Sequence, residues 1–208
     1  MKKIVIFGCG GHAKVVFDII QSKSDFSVAA FFDNNPKETN FLGAPVFSDI
    51  QQLKNYANEN QVSHAIVAIG NNDARKKLQI EAAQIGFNLP VLVHSSSIIS
   101  STANLGAGSV VFPGVIVNAD AKIAEGCILN SGAIVEHDCF IGAFTHIAPG
   151  TVLCGGVSVG TLTLVGARSV VIPMMKVGTR ATVGAGSVVV RDIPNDACAV
   201  GTPAKIKN

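Results

Sequence analysis

The stretch Ala133–Gly150, AIVEHDCFIGAFTHIAPG, sets Glu136, His137 and Asp138 side by side among apolar and small residues, with His146 further along. Only 14% of the 208 residues are charged, so three adjacent ionisable groups stand out. An imidazole beside a carboxylate suits general-base chemistry: the ring takes a proton, and the carboxylate orients it and favours its charged form. A second chemical feature lies near the start. Gly8–Ala13, GCGGHA, fits G-x-G-x-x-A between a strand-like and a helix-like run. Backbone N–H groups at such a helix start receive phosphate. Asp33, closing the next apolar run, is placed to hold a ribose. The same physics serves any nucleotide phosphate.

The elements that carry these residues fall into two rhythms. Residues 1–95 alternate strand and helix signals. Strands are expected at Lys3–Phe7, Val28–Phe32, His64–Ile69 and Pro90–Val93. Helices are expected at His12–Ser22, buried through Val15, Val16, Ile19 and Ile20, at Ser48–Tyr56 with Ser48 as N-cap, and at Asp73–Ile85. Apolar strands alternating with helices imply an α/β domain with a parallel sheet, Rossmann-like but short.

From residue 96 onward the period becomes six. Reading every sixth position from Ile99 to Val189 finds sixteen residues, all Ile, Leu or Val. The position two before each is mostly small, and glycine often follows. A strict hexapeptide period implies a parallel β-helix, about eighteen residues to a three-sided coil, over residues 96–208. With Val135 pointing inward, Glu136, His137 and Asp138 occupy a corner and project outward. Residues one coil apart stack, so Gly155 and Gly156 fall beside His137 and Asp138, where an open slot is expected. Cys127 and Cys139 sit at the inward small position and read as packing residues; Cys154 faces outward.

Bulk properties exclude several classes. A net charge of +2 without a basic cluster speaks against nucleic-acid binding. No apolar run reaches the ~18 residues of a membrane span, and the N-terminal apolar run is too short and glycine-broken for a signal peptide. Five cysteines without C-x-x-C spacing fit reduced thiols in a cytoplasm.

The hexapeptide period and the tail Val200–Lys205, VGTPAK, resemble the hexapeptide-repeat acyltransferases, whose β-helix is left-handed. Further runs narrow the resemblance: Phe7–Ala13, Phe31–Asn35 (FFDNN), Ala68–Lys77 (AIGNNDARKK) and Leu129–Gly142. With the short Rossmann-like domain ahead of the β-helix, the whole chain resembles the NeuD/PglD-like sugar acetyltransferases. Within that group it is most similar to the nucleotide-amino-sugar N-acetyltransferases of bacillosamine biosynthesis. The resemblance implies acetyl-CoA as co-substrate, no permanently bound cofactor, no metal, and acetylation of the 4-amino group of a UDP-4-amino-4,6-dideoxy sugar. It implies direct attack with His137 as general base and Asp138 as its partner, where the family carries Glu. Gly10, Gly11, His12, Asp33, Asn34 and Gly70 would bind the UDP-sugar, and Asn130 would face the sugar. His146, Ala167 and Ala185 would contact acetyl-CoA, and the Gly155 N–H would receive the thioester oxygen. A homotrimer with sites between neighbouring prisms is implied. Two rival readings use the same coil: an O-acetyltransferase of the sialic acid type, and a γ-carbonic-anhydrase-like hydratase, which needs three histidines on zinc. A non-catalytic nucleotide-sugar-binding protein is a third.

Overall fold

A computed structural model describes residues 1–22 and 25–207. The chain divides into two compact units, Met1–Ser95 and Ser96–Asn208.

The first unit follows the β/α alternation. Its elements are β1 (Lys2–Phe7), α1 (Gly11–Gln21), β2 (Phe26–Phe32), β3 (Asn40–Phe41), β4 (Ala44–Phe47), α2 (Ile50–Glu59), β5 (His64–Val67) and α3 (Asn72–Gln84). The sheet order is β3-β4-β2-β1-β5, parallel except for the β3–β4 hairpin. Ile4–Phe7 and Ala65–Val67 are fully or almost fully buried, as strands covered on both faces must be. Each of the Ile, Val and Phe side chains among them contributes about 1.5–3 kcal/mol of burial free energy. The chain steps from β1 to β2 on one side and returns to β5 on the other, so the order reverses between β1 and β5. Ligands of open α/β sheets bind at such reversals, beyond the carboxyl ends of the strands.

Three local expectations need correction. Asp49, not Ser48, caps α2: its carboxylate accepts from the Gln51 and Gln52 N–H groups, and the helix starts at Ile50. A carboxylate at that position also suits the positive end of the helix dipole. α1 buries Ala13, Val16, Ile19 and Ile20, whereas Val15 is only half-buried. The strand expected at Pro90–Val93 shortens to Leu92–Val93 and does not join this sheet, whose β5 edge gains only a bridge between His64 and Asn88. The structure adds a β3–β4 hairpin, which turns through Leu42 and Gly43, both at positive φ.

The second unit is the left-handed parallel β-helix, with a two-residue strand every six residues from Ile98–Ile99 to Val188–Val189. Face 1 stacks Ile98–Ile99, Ile116–Val117, Ile134–Val135, Val152–Leu153, Val170–Val171 and Val188–Val189. Face 2 stacks Asn104–Leu105, Lys122–Ile123, Phe140–Ile141, Ser158–Val159 and Lys176–Val177. Face 3 runs from Val110–Val111 through Ile128–Leu129, His146–Ile147, Leu164–Val165 and Thr182–Val183 to Cys198–Val200. The second residue of every strand points inward, and from Val111 to Val189 all are buried.

Two side-chain rules hold the coils in register. The buried small residues donate to a carbonyl one coil on: Ser109 to Ala124, Cys127 to Gly142, Thr145 to Gly160, Thr163 to Gly178 and Ser169 to Gly184. This ladder satisfies groups that burial would otherwise penalise. The glycine after the inward residue leaves room for the next coil: a Cβ on Gly160 would lie 2.4 Å from the Thr179 nitrogen. The C-terminal segment closes the last coil. Lys205–Lys207 runs antiparallel to Cys198–Val200, Ala204 N–H donates to the Val188 carbonyl, and Ile193 bridges to Val177.

Among the described residues, no helix is long and apolar enough to cross a membrane.

Candidate active site

His137 and Asp138 stand at the corner between faces 1 and 2, with side chains 63% and 65% exposed. Nδ1 of His137 lies 2.8 Å from Oδ2 of Asp138. That bond assigns the proton to Nδ1 and leaves Nε2 as the free base. The shorter carboxylate of Asp therefore reaches the ring fully. Asp138 reaches it from φ +59, a left-handed conformation that the neighbouring coil fills with Gly156. Asp tolerates that region better than most residues. Glu136 does not join the pair: its Oε2 accepts from the Asn118 amide one coil back, at 2.8 Å. The bond to Asp138, with the charges of Asp138 and Glu136, holds the His137 pKa above the ordinary imidazole value.

The open slot expected beside His137 is occupied by the imidazole itself. A Cβ on Gly155 would lie 2.6 Å from both Cε1 and Nε2 of His137. The absent side chain is what lets the ring lie across the next coil. Gly155 N–H donates to no backbone carbonyl among the described residues, while its carbonyl accepts from Met174 N–H. Beside it, Met174 covers Gly156, where a Cβ would meet Sδ at 2.5 Å.

The other residues expected around acetyl-CoA lie elsewhere on the prism. His146 is on face 3, and its Nε2 lies 3.0 Å from the amide nitrogen of Asn130. Asn130 thus positions His146 rather than standing at the His137 corner. Ala167 and Ala185 line a groove with Ser131, Pro149, Gly150, Arg168 and Gly186 at the corner between faces 3 and 1. Within one chain, face 1 separates this groove from His137. The outward residues of face 1 are Ile98, Ile116, Ile134, Val152, Val170 and Val188, an unbroken aliphatic column.

The two inward cysteines behave as packing residues. Cys127 and Cys139 are buried and donate to the Gly142 and Cys154 carbonyls at 3.2 Å. Burial pushes the Cys139 thiol up to about 11, away from the thiolate a nucleophile needs.

In the first unit, the residues expected to bind nucleotide gather at the carboxyl edge of the sheet, following β1, β2 and β5. A cleft of about 360 Å³ is lined by Cys9, Gly10, Gly11, Lys14, Asp33, Asn35, Pro36, Lys37, Glu38, Phe41 and Val46. Gly10 caps α1 without a side chain. The Asp33 carboxylate braces the loops, accepting from the Cys9 and Asn35 N–H groups at 3.0 Å each. Burial, then Asp33, pushes the Cys9 thiol up to about 11. His12, Asn34 and Gly70 do not line this cleft. His12 is half-buried, and burial followed by the Arg75 charge pulls its pKa down to about 4.

Known proteins match both units. Residues 3–82 match the PglD N-terminal domain, and residues 156–191 match the hexapeptide repeat of succinyl-transferase. PerB from Caulobacter crescentus, solved in complex with CoA and GDP-perosamine, is 42% identical, with TM-score 0.93 over 100% of this chain and 98% of that one. The chain belongs to the PglD-like hexapeptide-repeat sugar acetyltransferases. The acetyltransferase domain of PglB from Neisseria gonorrhoeae FA1090 is 35% identical, with TM-score 0.92 and complete coverage of both chains. The UDP-N-acetylbacillosamine N-acetyltransferase of Bacillus subtilis (strain 168) is 37% identical over 119 residues, 53% of this chain. The chain spans about half the length of that curated relative, 51%.

Two features of the first unit were not read from the sequence. The cleft wall formed by Lys37, Glu38 and Phe41 belongs to the segment leading into the hairpin, where no strand was expected. Arg75, taken as part of a charged helix, is fully buried. Its place four residues after the N-cap Asn71, one turn into α3, was the available signal.

Proposed function

We propose that the enzyme transfers acetyl from acetyl-CoA to the 4-amino group of a UDP-4-amino-4,6-dideoxy-N-acetylhexosamine. The observation that carries the reading is the His137–Asp138 pair, with Nε2 lying against Gly155. Nε2 takes a proton from the sugar nitrogen as that nitrogen bonds to the thioester carbonyl carbon. The oxygen becomes an oxyanion, received by the Gly155 N–H. As the intermediate collapses, the C–S bond breaks and the imidazolium returns its proton to the departing CoA thiolate. Asp138 stabilises the imidazolium between the two steps, and no acyl-enzyme forms.

Gly10, Gly11 and Asp33 bind the nucleotide in the cleft of the first unit, with Gly70 beside them. His146, braced by Asn130, contacts acetyl-CoA, and Ala167 and Ala185 line its pantetheine. The separation of His137 from that groove supports a homotrimer, in which one prism's His137 corner meets the next prism's groove. The aliphatic column of face 1 suits burial against a second copy. The five cysteines, with no C-x-x-C spacing, support a cytoplasmic setting, where acetyl-CoA is at hand.

The test follows CoA release with a panel of acceptors: the UDP-4-amino sugar, GDP-perosamine, a UDP-sugar lacking the amine, and sialic acid. Release with the UDP-4-amino sugar, lost in His137→Ala, supports the reading. Preference for GDP-perosamine would move the nucleotide assignment. Release with acceptors that offer only hydroxyl groups would overturn N-acetylation.

A further inference from the structure

The β5–α3 loop, Ala68–Asn71, is held from beneath by one side chain. Arg75 is 0% exposed, although it lies one turn into α3. Its Nη1 donates to the carbonyls of Ile69 and Gly70, both at 3.1 Å, and its Nη2 to Oδ1 of Asn72 at 2.8 Å. Burying a guanidinium costs several kcal/mol, and an apolar side chain of similar volume commonly serves stability as well or better. Two of these bonds end on the loop and the third on Asn72, the first residue of α3, so what they secure is the loop's conformation where it enters the helix.

That conformation has a chemical result. In a trans peptide the carbonyl and the following N–H point in opposite directions. With the Ile69 and Gly70 carbonyls drawn inward onto the guanidinium, the Gly70 and Asn71 N–H groups point away from it. Both residues are exposed, and neither N–H donates to a backbone carbonyl among the described residues. The loop also abuts the glycine-rich turn after β1. Ala68 N–H donates to the Phe7 carbonyl, and a Cβ on Gly8 would lie 2.9 Å from Ile69 Cδ1. His12, at the start of α1, feels the Arg75 charge. The paired N–H groups therefore stand beside the α1 N-terminus, at the sheet's reversal between β1 and β5.

We propose that Arg75 is a positioning residue for the acceptor's diphosphate, turning the Gly70 and Asn71 N–H groups outward to receive phosphate oxygens. This deepens the nucleotide-sugar reading and rests on it. Two N–H groups fixed in advance, with a buried cation behind them, form an anion receptor that needs no reorganisation on binding. A lysine could supply the charge but not the fork that holds two carbonyls and an amide together.

The experiment measures UDP, uridine and acetyl-CoA binding by calorimetry on the full chain. It compares wild type with Arg75→Lys, Arg75→Met and Asn72→Ala. The wild type should bind UDP more tightly than uridine. Arg75→Met should weaken UDP about tenfold or more, the scale of losing hydrogen bonds to a charged ligand. Uridine and acetyl-CoA binding should change little, so the UDP advantage shrinks. Arg75→Lys and Asn72→Ala should fall between, and Asn72→Ala keeps the test open if Arg75→Met fails to fold. An unchanged UDP-to-uridine ratio in the folded variants overturns the proposal, leaving Arg75 a structural residue. A wild type that binds no nucleoside diphosphate is a different failure: the nucleotide-sugar reading falls, and the proposal with it.

Discussion

At the scale of single residues, the site reduces to an imidazole, a carboxylate and a missing side chain. As the proposed base, His137 must be unprotonated to work, so kcat/KM should climb with pH through its raised pKa. Asp138→Asn keeps a residue that accepts φ near +60° but removes the charge and the strong bond to Nδ1. The climb should move to lower pH and the plateau should drop. A pH–rate profile with an unmoved midpoint would show that Asp138 does not set the His137 pKa. His137→Ala should cost about 10²–10⁴-fold in kcat, the usual weight of general-base assistance. Gly155→Ala is the sharper test, because its methyl would enter the space of the ring. Activity should fall nearly as far as in His137→Ala while thermal stability holds; near-normal turnover would show that ring placement is unimportant. The pairing of His137 with Asp138 was legible in the sequence because adjacency and the six-residue phase place both at one corner. The ring's lie across Gly155 was not, since it depends on a rotamer. Nor was the diversion of Glu136 to Asn118, which needs the coil-to-coil distance.

At the scale of elements, α1 carries an acid-sensitive group. His12 has its pKa lowered to about 4 from an ordinary 6.5. Between those values the unfolded chain binds more protons than the folded one, so stability rises with pH there. The contribution is complete above about pH 6.5 and is lost as pH falls toward 4. It amounts to roughly 3 kcal/mol at about 1.36 kcal/mol per unit. Tyr56, the one tyrosine in a chain without tryptophan, packs in α2 and donates to the Ala29 carbonyl, so its fluorescence follows the first unit. Urea titrations read at Tyr56 should show the acid loss in wild type and a flatter profile in His12→Gln. An equal slope in both would assign the loss to another group. Here the sequence was legible where periodicity is long, as in β1, α1 and α3. It misled where two neighbouring residues could both cap, Ser48 and Asp49, and where a strand is only two residues long. Arg75 escaped because charge normally marks a solvent face, and its burial depends on acceptors supplied by the loop before it.

At the scale of the whole molecule, the six-residue period made the β-helix readable along its length, since one slip of phase would put an aliphatic residue outside. The acetyl-CoA residues are expected from resemblance alone, because no single prism brings His137 and Ala185 to one corner. A site shared between copies has a direct test. His137→Ala and Ala185→Trp should each be inactive alone, the second by blocking the groove. After mixing under conditions that exchange subunits, activity should return, since some seams then join an intact corner to an intact groove. Continued silence in verified mixed oligomers would place the whole site within one chain. The closed end of the prism has its own consequence. Every coil offers the next an unpaired row of backbone donors and acceptors, and among the described residues the segment from Ile193 to Lys207 covers the last row. Cut back before Ile193, the prism would end in an open template of the very kind its own coils recognise. Such a molecule should stack end to end into filaments, so this capping segment acts as a stop on polymer growth.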